Sequence, residues 1–342
     1  MSGSINCPPQ PPQFRNDDLL PAELKKLLAT MMRIRVFEER IADLVIEKKI
    51  ITPCHLYTGQ EAVATGVCHA LNSDDYLFGT HRSHGHYLAK GGDLKAAMAE
   101  IFGRATGCSK GRGGSMHLVA PEVGIMGTSS IVSGSMSISV GTALAESIRG
   151  SQRITVVFHG DGVPEEGSWH ESANLAAVKR LPIIFVCENN LYCTHMSLEK
   201  RRVHDNIPEM AKAHGFKTLS ADGNNVLEVL AAARQAVQTA RAGEGPTLIE
   251  CRTYRWRGHV GPNYDVDLGL RDQQEIDAWK DRCPIKHFGN FLVDEKIMTR
   301  AEVEKVWQEA CDEVEQAVAY SLASPYPDAA EVTKNVYRGA GQ

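Results

Sequence analysis

The sequence predicts an α/β fold in which a mostly parallel sheet is flanked by helices on both faces. Two short apolar runs, residues 154–158 and 183–187, have the length and the β-branched content of buried strands. The segment between them has the composition of a helix, so the three elements predict a βαβ unit with parallel strands and a right-handed crossover. A third apolar run, residues 248–251, predicts a further strand.

Helices are predicted by apolar periodicity and by capping residues. The first is expected from Pro21 to about Lys48, with proline in its first turn and a broad apolar stripe. A second is expected to run to Leu71, with Thr58 as its N-cap and Glu61 at the capping-box position.

Three later segments also have helical patterns. Residues 91–103 precede a glycine-rich loop at 107–115, and an Ala-rich helix is expected at 141–148 after a Ser/Gly-rich stretch. Thr299 and Glu302 form another capping box, which opens a helix that ends before Pro325. We expect a disordered tail at 1–20, a single domain at 21–325 and a C-terminal tail at 326–342.

Composition limits the functional classes. The chain has 342 residues and a net charge of −5, without a basic cluster that would bind nucleic acid. It has no apolar run of the length that crosses a membrane, and its first residues resemble neither a secretory signal nor a mitochondrial presequence. Nine cysteines without a C-x-x-C pair favour reduced thiols in a cytoplasmic protein over zinc or disulfides.

Polar motifs follow the first two predicted strands. Gly160-Asp161-Gly162 closes one, and Asn189-Asn190 closes the next. The carboxyl ends of parallel strands meet at one sheet edge, where open α/β folds bind ligands. A carboxylate and an amide oxygen can share one Mg²⁺ with bonds of about 2.1 Å, and such a cation completes its shell with phosphate oxygens. A lone Gly-Asp-Gly is usually an ordinary turn, but the second motif favours a site for Mg²⁺ and a diphosphate.

Further motifs lie in a characteristic order along the chain. They are His55-Leu56-Tyr57-Thr58-Gly59-Gln60-Glu61-Ala62, Thr80-His81-Arg82-Ser83-His84-Gly85, Lys110-Gly111-Arg112-Gly113-Gly114-Ser115-Met116-His117 and Tyr254-Arg255-Trp256-Arg257-Gly258-His259. Together with the strand-end motifs, this order resembles the alpha subunits of thiamine diphosphate-dependent first components of 2-oxo acid dehydrogenase complexes, including the pyruvate, branched-chain and acetoin enzymes. The resemblance extends from about residue 21 to about 325.

The resemblance implies a role for each matching residue. The Mg²⁺ ligands would be the side chains of Asp161 and Asn190 and the carbonyl of Tyr192. Arg82 and the backbone amides of Gly162 and Val163 would hold the diphosphate. His81 matches a position that touches the diphosphate. Ser130 and Val132 match backbone positions that contact the aminopyrimidine.

Three histidines match catalytic positions of that family. His55, His84 and His259 would line the reaction pocket, and we favour His84 and His259 as the main catalytic residues. His81, His84 and His86 could also be read as a metal cluster, but no further nearby cysteine or histidine completes a tetrahedral set.

The resemblance also implies partners. The glutamate that activates the cofactor belongs to a separate beta subunit, so we expect an α₂β₂ heterotetramer that passes an acyl group to a lipoyl-bearing acyltransferase. The substrate would be a 2-oxo acid, with pyruvate as the default; acetoin cleavage and a noncatalytic assembly role remain alternatives. Val260 stands where animal relatives carry a phosphorylated serine, which excludes that form of control, and the divergent segments 192–196 and 260–267 could reshape the pocket.

Overall fold

The computed structural model describes residues 10–16, 18–331 and 333–334. The strands in these residues are β1 (Tyr76–Gly79), β2 (Ile125–Thr128), β3 (Thr155–Gly160), β4 (Ile183–Asn189), β5 (Tyr192–Cys193), β6 (Met196–Ser197), β7 (Lys217–Asp222) and β8 (Thr247–Arg252). The α-helices are α1 (Pro21–Ile46), α2 (Glu61–His69), α3 (His84–Ala89), α4 (Leu94–Ile101), α5 (Gly134–Arg149), α6 (Gly167–Val178), α7 (Leu198–Arg201), α8 (Ile207–Ala213), α9 (Val226–Arg241), α10 (Gln273–Asp281), α11 (Pro284–Asp294) and α12 (Arg300–Ala323).

Six strands form one parallel sheet, in the order β2-β1-β3-β4-β8-β7. The predicted βαβ unit is confirmed, because β3 and β4 are adjacent and parallel and α6 connects them. The two short strands β5 and β6 form a separate antiparallel hairpin directly after β4. The predicted α/β fold class is therefore correct.

Both faces of the sheet are buried, which explains the uninterrupted apolar runs. Side chains alternate along a strand, so Val156 and Val186 join the core on one face while Val157 and Phe185 join the core on the other. Helices α1, α2, α4, α9 and α12 contribute to the first core, and α5, α6 and α8 contribute to the second. The layers therefore leave the carboxyl ends of the strands as the open edge.

The terminal helices begin where the sequence predicts. Helix α1 starts at Pro21, and α12 is capped by Thr299, whose hydroxyl accepts the Glu302 N–H at 3.2 Å. Along the chain, no described helix is long and apolar enough to cross a membrane.

Two helix starts differ from the prediction. Helix α2 begins after Gln60, and the Thr58 hydroxyl is buried without a hydrogen-bond partner, so Thr58 is not an N-cap. Glu61 instead binds the buried guanidinium of Arg35 at 2.6 Å. Helix α5 begins at Gly134, earlier than its Ala-rich part, because Ser135 bonds outward to the Gly79 carbonyl at 2.9 Å instead of disrupting the helix.

The described part of the predicted disordered tail, before α1, makes apolar contacts with the rest of the chain. Phe14 lies 5.3 Å from the ring of Phe288 and 5.4 Å from that of Phe291, and Leu19 is buried. Residues 1–9 and 17 of the predicted tail lie outside the described residues, as do 332 and 335–342 of the predicted C-terminal tail. The single-domain interpretation of residues 21–325 stays a prediction.

Candidate active site

One cavity lies at the carboxyl edge of the sheet, where the segments after β1, β2, β3, β4 and β8 meet. It encloses about 840 Å³ of space, including its open mouth. The predicted site residues on its wall are His55, His81, Arg82, Ser130, Val132, Asp161, Gly162, Val163, Asn190, Tyr192 and His259. Residues that are far apart in the sequence thus face one space.

Asp161 and Asn190 occupy the positions at which two neighbouring strands end. Gly160, the last residue of β3, pairs with Glu188 of the adjacent strand β4. Asp161 directly follows β3 and Asn190 directly follows β4, so both lie at the same edge of the sheet. The Asp161 side chain is 1% exposed and forms an ion pair with Arg201. Burial raises the pKa of this carboxyl, and the nearby Arg201 opposes that shift.

The oxygen atoms at this edge suit a hard divalent cation. The Asn190 amide nitrogen donates to Gln60 at 2.9 Å, so the amide oxygen is turned the other way, toward the Tyr192 N–H at 3.3 Å. A carboxylate, an amide oxygen and a backbone carbonyl are the donor types that Mg²⁺ prefers. The residues present therefore fit the predicted metal.

Cys193 packs so closely against Gly162 that no side chain would fit at this position. A Cβ at this position would lie 2.4 Å from the sulfur of Cys193, a distance that real contacts do not show. Val163 follows at the start of a 3₁₀ turn, Val163–Glu165. The absence of a side chain at Gly162 thus lets Cys193 of β5 pack directly against the loop after β3.

Arg82 joins two walls of the cavity. Its guanidinium is buried and donates to the Leu56 carbonyl at 2.6 Å and the His259 carbonyl at 3.1 Å. Burial lowers the pKa of Arg82 to about 10, so the group remains a cation at neutral pH. It is a fixed positive charge on the cavity wall.

Three imidazoles gather on the same wall. The ring centroids of His55 and His81 are 4.7 Å apart, and that of His259 lies 4.9 Å from His55 and 5.5 Å from His81. Burial and the neighbouring Arg82 charge lower the pKa of His55 and of His259 to about 3 and that of His81 to about 2. At neutral pH the three rings are therefore uncharged.

This neutral cluster predicts an acid-sensitive fold in the absence of cofactor. An unfolded histidine titrates near 6.5, so the unfolded chain binds more protons than the folded chain once the pH falls below that value. Stability is full above about pH 6.5 and declines as the pH falls toward the folded pKa. We expect His259→Gln to lose less of its melting temperature than the wild type between pH 7.5 and 5.0, measured by differential scanning calorimetry; parallel losses would contradict this.

The same three histidines form a set that sequence reasoning did not group. One ring nitrogen from each lies within 4.8 Å of the others. The sequence analysis rejected a metal cluster of His81, His84 and His86, and the fold separates these residues, because His84 and His86 are buried against Glu38 and Glu188. His55, His81 and His259 come from three separate loops that meet in the fold. Their spacing along the chain therefore does not predict that they lie together.

His84 lies behind the cavity wall and does not line it. It is fully buried, with one ring nitrogen 3.0 Å from the Glu38 carboxylate and the other 2.8 Å from the Ser115 hydroxyl. Both nitrogens are thus engaged in this structure, and His259 is the better placed of the two favoured histidines. The catalytic role of each stays a prediction.

Glu188 is a cavity residue that the sequence analysis missed. Its carboxylate receives hydrogen bonds from the Tyr57 hydroxyl and from His86, the latter at 2.9 Å. Its signal was available, because it immediately precedes Asn189-Asn190 in the strand. A further missed residue is Asp265, which accepts the His259 N–H at 3.0 Å and so fixes the loop that carries this histidine.

The glycine-rich loop serves a structural purpose. The buried carboxylate of Glu100 accepts four backbone N–H groups, from Ser109 at 2.7 Å, Gly111 at 2.8 Å, Gly113 at 2.6 Å and Gly114 at 3.1 Å. The loop therefore wraps the Glu100 carboxylate, and Met116, directly after the loop, lines the cavity.

One side of the cavity presents apolar side chains to the surroundings. Ile131 is 70% exposed and Val132 is 40% exposed, and both line the cavity next to Ser130. On the same part of the chain Ile138 of α5 is 60% exposed. This side of the cavity is thus open and apolar.

Comparisons with known proteins agree with these features. The family model described as "Dehydrogenase E1 component" matches residues 29–330. The chain is 39% identical over 307 residues to the alpha subunit of acetoin:2,6-dichlorophenolindophenol oxidoreductase from Bacillus subtilis, covering 90% of this chain and 91% of the relative. It is 37% identical over 322 residues to the pyruvate dehydrogenase E1 component subunit alpha of Porphyra purpurea, covering 92% and 93% respectively. A second acetoin relative, from Cupriavidus necator, is 36% identical over 321 residues, covering 93% and 96%.

Proposed function

The chain belongs to the dehydrogenase E1 component family as an alpha subunit, and we propose that it binds Mg²⁺ and the diphosphate of thiamine diphosphate for the oxidative decarboxylation of a 2-oxo acid. Pyruvate is the default substrate in this proposal, which similarity to a pyruvate dehydrogenase alpha subunit supports without excluding acetoin. The acyl product would pass to a lipoyl group. The chain is thus the cofactor-anchoring part of an oxidoreductase.

The observation that carries the proposal is the meeting of Asp161, Asn190 and Arg82 on one cavity wall. The first two supply oxygen ligands for a cation, and the third supplies a fixed positive charge for an anion. A metal diphosphate needs a cavity that can bind a cation and an anion side by side.

The chemistry of the reaction would be divided between cofactor and protein. When bound, thiamine diphosphate supplies a nucleophilic carbon and an electron sink for the loss of CO₂. Arg82, Gly162 and Val163 would fix the diphosphate, and Asp161, Asn190 and the Tyr192 carbonyl would hold the metal. His55 and His259, uncharged at neutral pH, could take up a proton near the substrate carboxylate.

We propose a beta subunit as the partner on the open side of the cavity. The exposed apolar residues Ile131, Val132 and Ile138 lie there, and such a patch favours a protein contact. The complete enzyme would be an α₂β₂ heterotetramer that works with a lipoyl-bearing acyltransferase. We also propose a cytoplasmic location, which suits the unpaired state of the cysteines among the described residues.

Acetoin cleavage is the second candidate. It is favoured by similarity to two acetoin oxidoreductase alpha subunits, at 39% and 36% identity. The same cofactor site would serve both reactions, so the cavity geometry does not separate them. A noncatalytic assembly role is disfavoured, because the metal, diphosphate and proton-transfer candidates are all present on the cavity wall.

A rate assay separates these functions. The chain is co-expressed with its beta subunit and supplied with Mg²⁺, thiamine diphosphate and an artificial electron acceptor. We expect reduction of the acceptor with pyruvate and none from the chain alone. Faster reduction with acetoin would select the second candidate, and no reduction with pyruvate, acetoin or branched 2-oxo acids despite bound cofactor would favour the assembly role.

A further inference from the structure

Arg201 makes an unusual contact with the predicted metal ligand. It is the last residue of α7, and its guanidinium forms an ion pair with one oxygen, Oδ2, of Asp161. The side chains are 7% and 1% exposed, so the pair is shielded from water. A second guanidinium nitrogen binds Glu165, and the third donates to the Met196 carbonyl at 3.2 Å. All three nitrogens are thus committed to fixed acceptors.

The contact leaves half of the carboxylate available. The contact of Asp161 with Arg201 involves Oδ2, and Asp161 lies on the cavity wall. The neighbouring Arg202 donates to the Asp161 backbone carbonyl at 3.0 Å. With its main chain and one oxygen held, the carboxylate cannot rotate freely, and Oδ1 is left for a ligand in the cavity.

Arg201 also connects the two halves of the cation site. Asn190 and Tyr192 follow β4, and the β5–β6 hairpin leads from them directly into α7. The Arg201 ion pair therefore fastens this segment to the loop after β3 that carries Asp161. A shift of either loop would separate the oxygens that must share one cation.

We propose that Arg201 is a positioning residue for the metal diphosphate site, which orients the Asp161 carboxylate and joins its loop to the Asn190 segment. This inference rests on the proposed function, since it assigns a cation to Asp161 and Asn190. Groups that hydrogen-bond to metal-ligating carboxylates commonly set the affinity of the metal.

The test compares metal and cofactor binding in the cofactor-free complex of the chain with its beta subunit. We expect Arg201→Met to weaken Mn²⁺ binding, followed by electron paramagnetic resonance, by about 10–100-fold. Thiamine diphosphate binding in saturating Mg²⁺, followed by calorimetry, should weaken as well. Arg201→Lys should recover part of the loss, because one of the contacts to Asp161 or Glu165 can be kept. Lys200→Met removes the same charge from the neighbouring exposed position and should leave both affinities unchanged.

A double-mutant cycle shows whether Arg201 acts through Asp161. In an Asp161→Asn background, Arg201→Met should cause little further loss, whereas independent losses would contradict a positioning role. Tighter Mn²⁺ binding by Arg201→Met would overturn the proposal and identify Arg201 as a competitor of the metal; unchanged binding would also overturn it. If Asp161→Asn itself leaves binding intact, the proposed cation site is wrong, which is a separate outcome. Arg201→Lys decides the matter if Arg201→Met does not fold.

Discussion

Replacing Asp161 by asparagine is expected to abolish cofactor-dependent activity. The substitution keeps the size of the side chain but removes the charge that would hold Mg²⁺, so the affinity for thiamine diphosphate should fall by more than about 100-fold, beyond the usual loss for a residue that only supports a ligand. Calorimetric titration of the alpha–beta complex with thiamine diphosphate in the presence of Mg²⁺ measures the loss. Turnover at a fixed cofactor concentration should fall with it.

The fold should tolerate this change. Asp161 is buried and burial raises its pKa, so an uncharged side chain is not costly there, and Arg201 retains Glu165 as a partner. Asp74→Asn is a matched control, since that carboxylate is 56% exposed and lies before β1, away from the cavity. Normal cofactor affinity in Asp161→Asn with an unchanged melting temperature would contradict the assignment of the metal.

Replacing Arg82 by methionine is the second change with a large expected effect. The guanidinium is the cation on the cavity wall that is buried and fixed by two carbonyls, at 2.6 and 3.1 Å. Hydrogen bonds to charged groups contribute about 1.5–3 kcal/mol each, so the loss of two to the diphosphate should weaken cofactor binding by about 100-fold or more. Equilibrium titration with thiamine diphosphate at saturating Mg²⁺ gives the change.

Lysine should not restore this site. A single ammonium cannot reach the Leu56 and His259 carbonyls and a diphosphate with the geometry of a planar guanidinium. We therefore expect Arg82→Lys to remain far weaker than wild type. Arg153→Met, at a side chain that is 42% exposed, controls for the loss of one positive charge. If Arg82→Met bound the cofactor as well as this control does, Arg82 would have no part in diphosphate binding.

Much of the fold was predictable because its signals are local. Residues 154–158 and 183–187 are apolar almost throughout since both faces of β3 and β4 are covered, and short runs of this kind are typical of buried parallel strands. The Thr299 cap was readable because it depends on residues three apart. The family assignment was confirmed for a similar reason, as its motifs are contiguous segments whose order spans the chain.

Other features depend on contacts between distant segments. Thr58 looked like a cap for α2, but Glu61 is engaged by Arg35 of α1, which lies 26 positions earlier in the chain. Likewise His84 follows His81 by three positions, yet it turns inward to Glu38 while His81 faces the cavity. Asp161 itself was predicted, whereas its ion pair with Arg201 was not, because the hairpin between them folds in a way that no periodicity encodes.

The most direct test of the central claim is a crystal structure of the alpha–beta complex with Mn²⁺ and thiamine diphosphate, in which anomalous scattering locates the metal. We expect one metal peak, at bonding distance from the Asp161 carboxylate, the Asn190 amide oxygen and the cofactor diphosphate. Arg201 should still bind the other oxygen of the Asp161 carboxylate. A cofactor whose metal binds neither Asp161 nor Asn190 would contradict that claim.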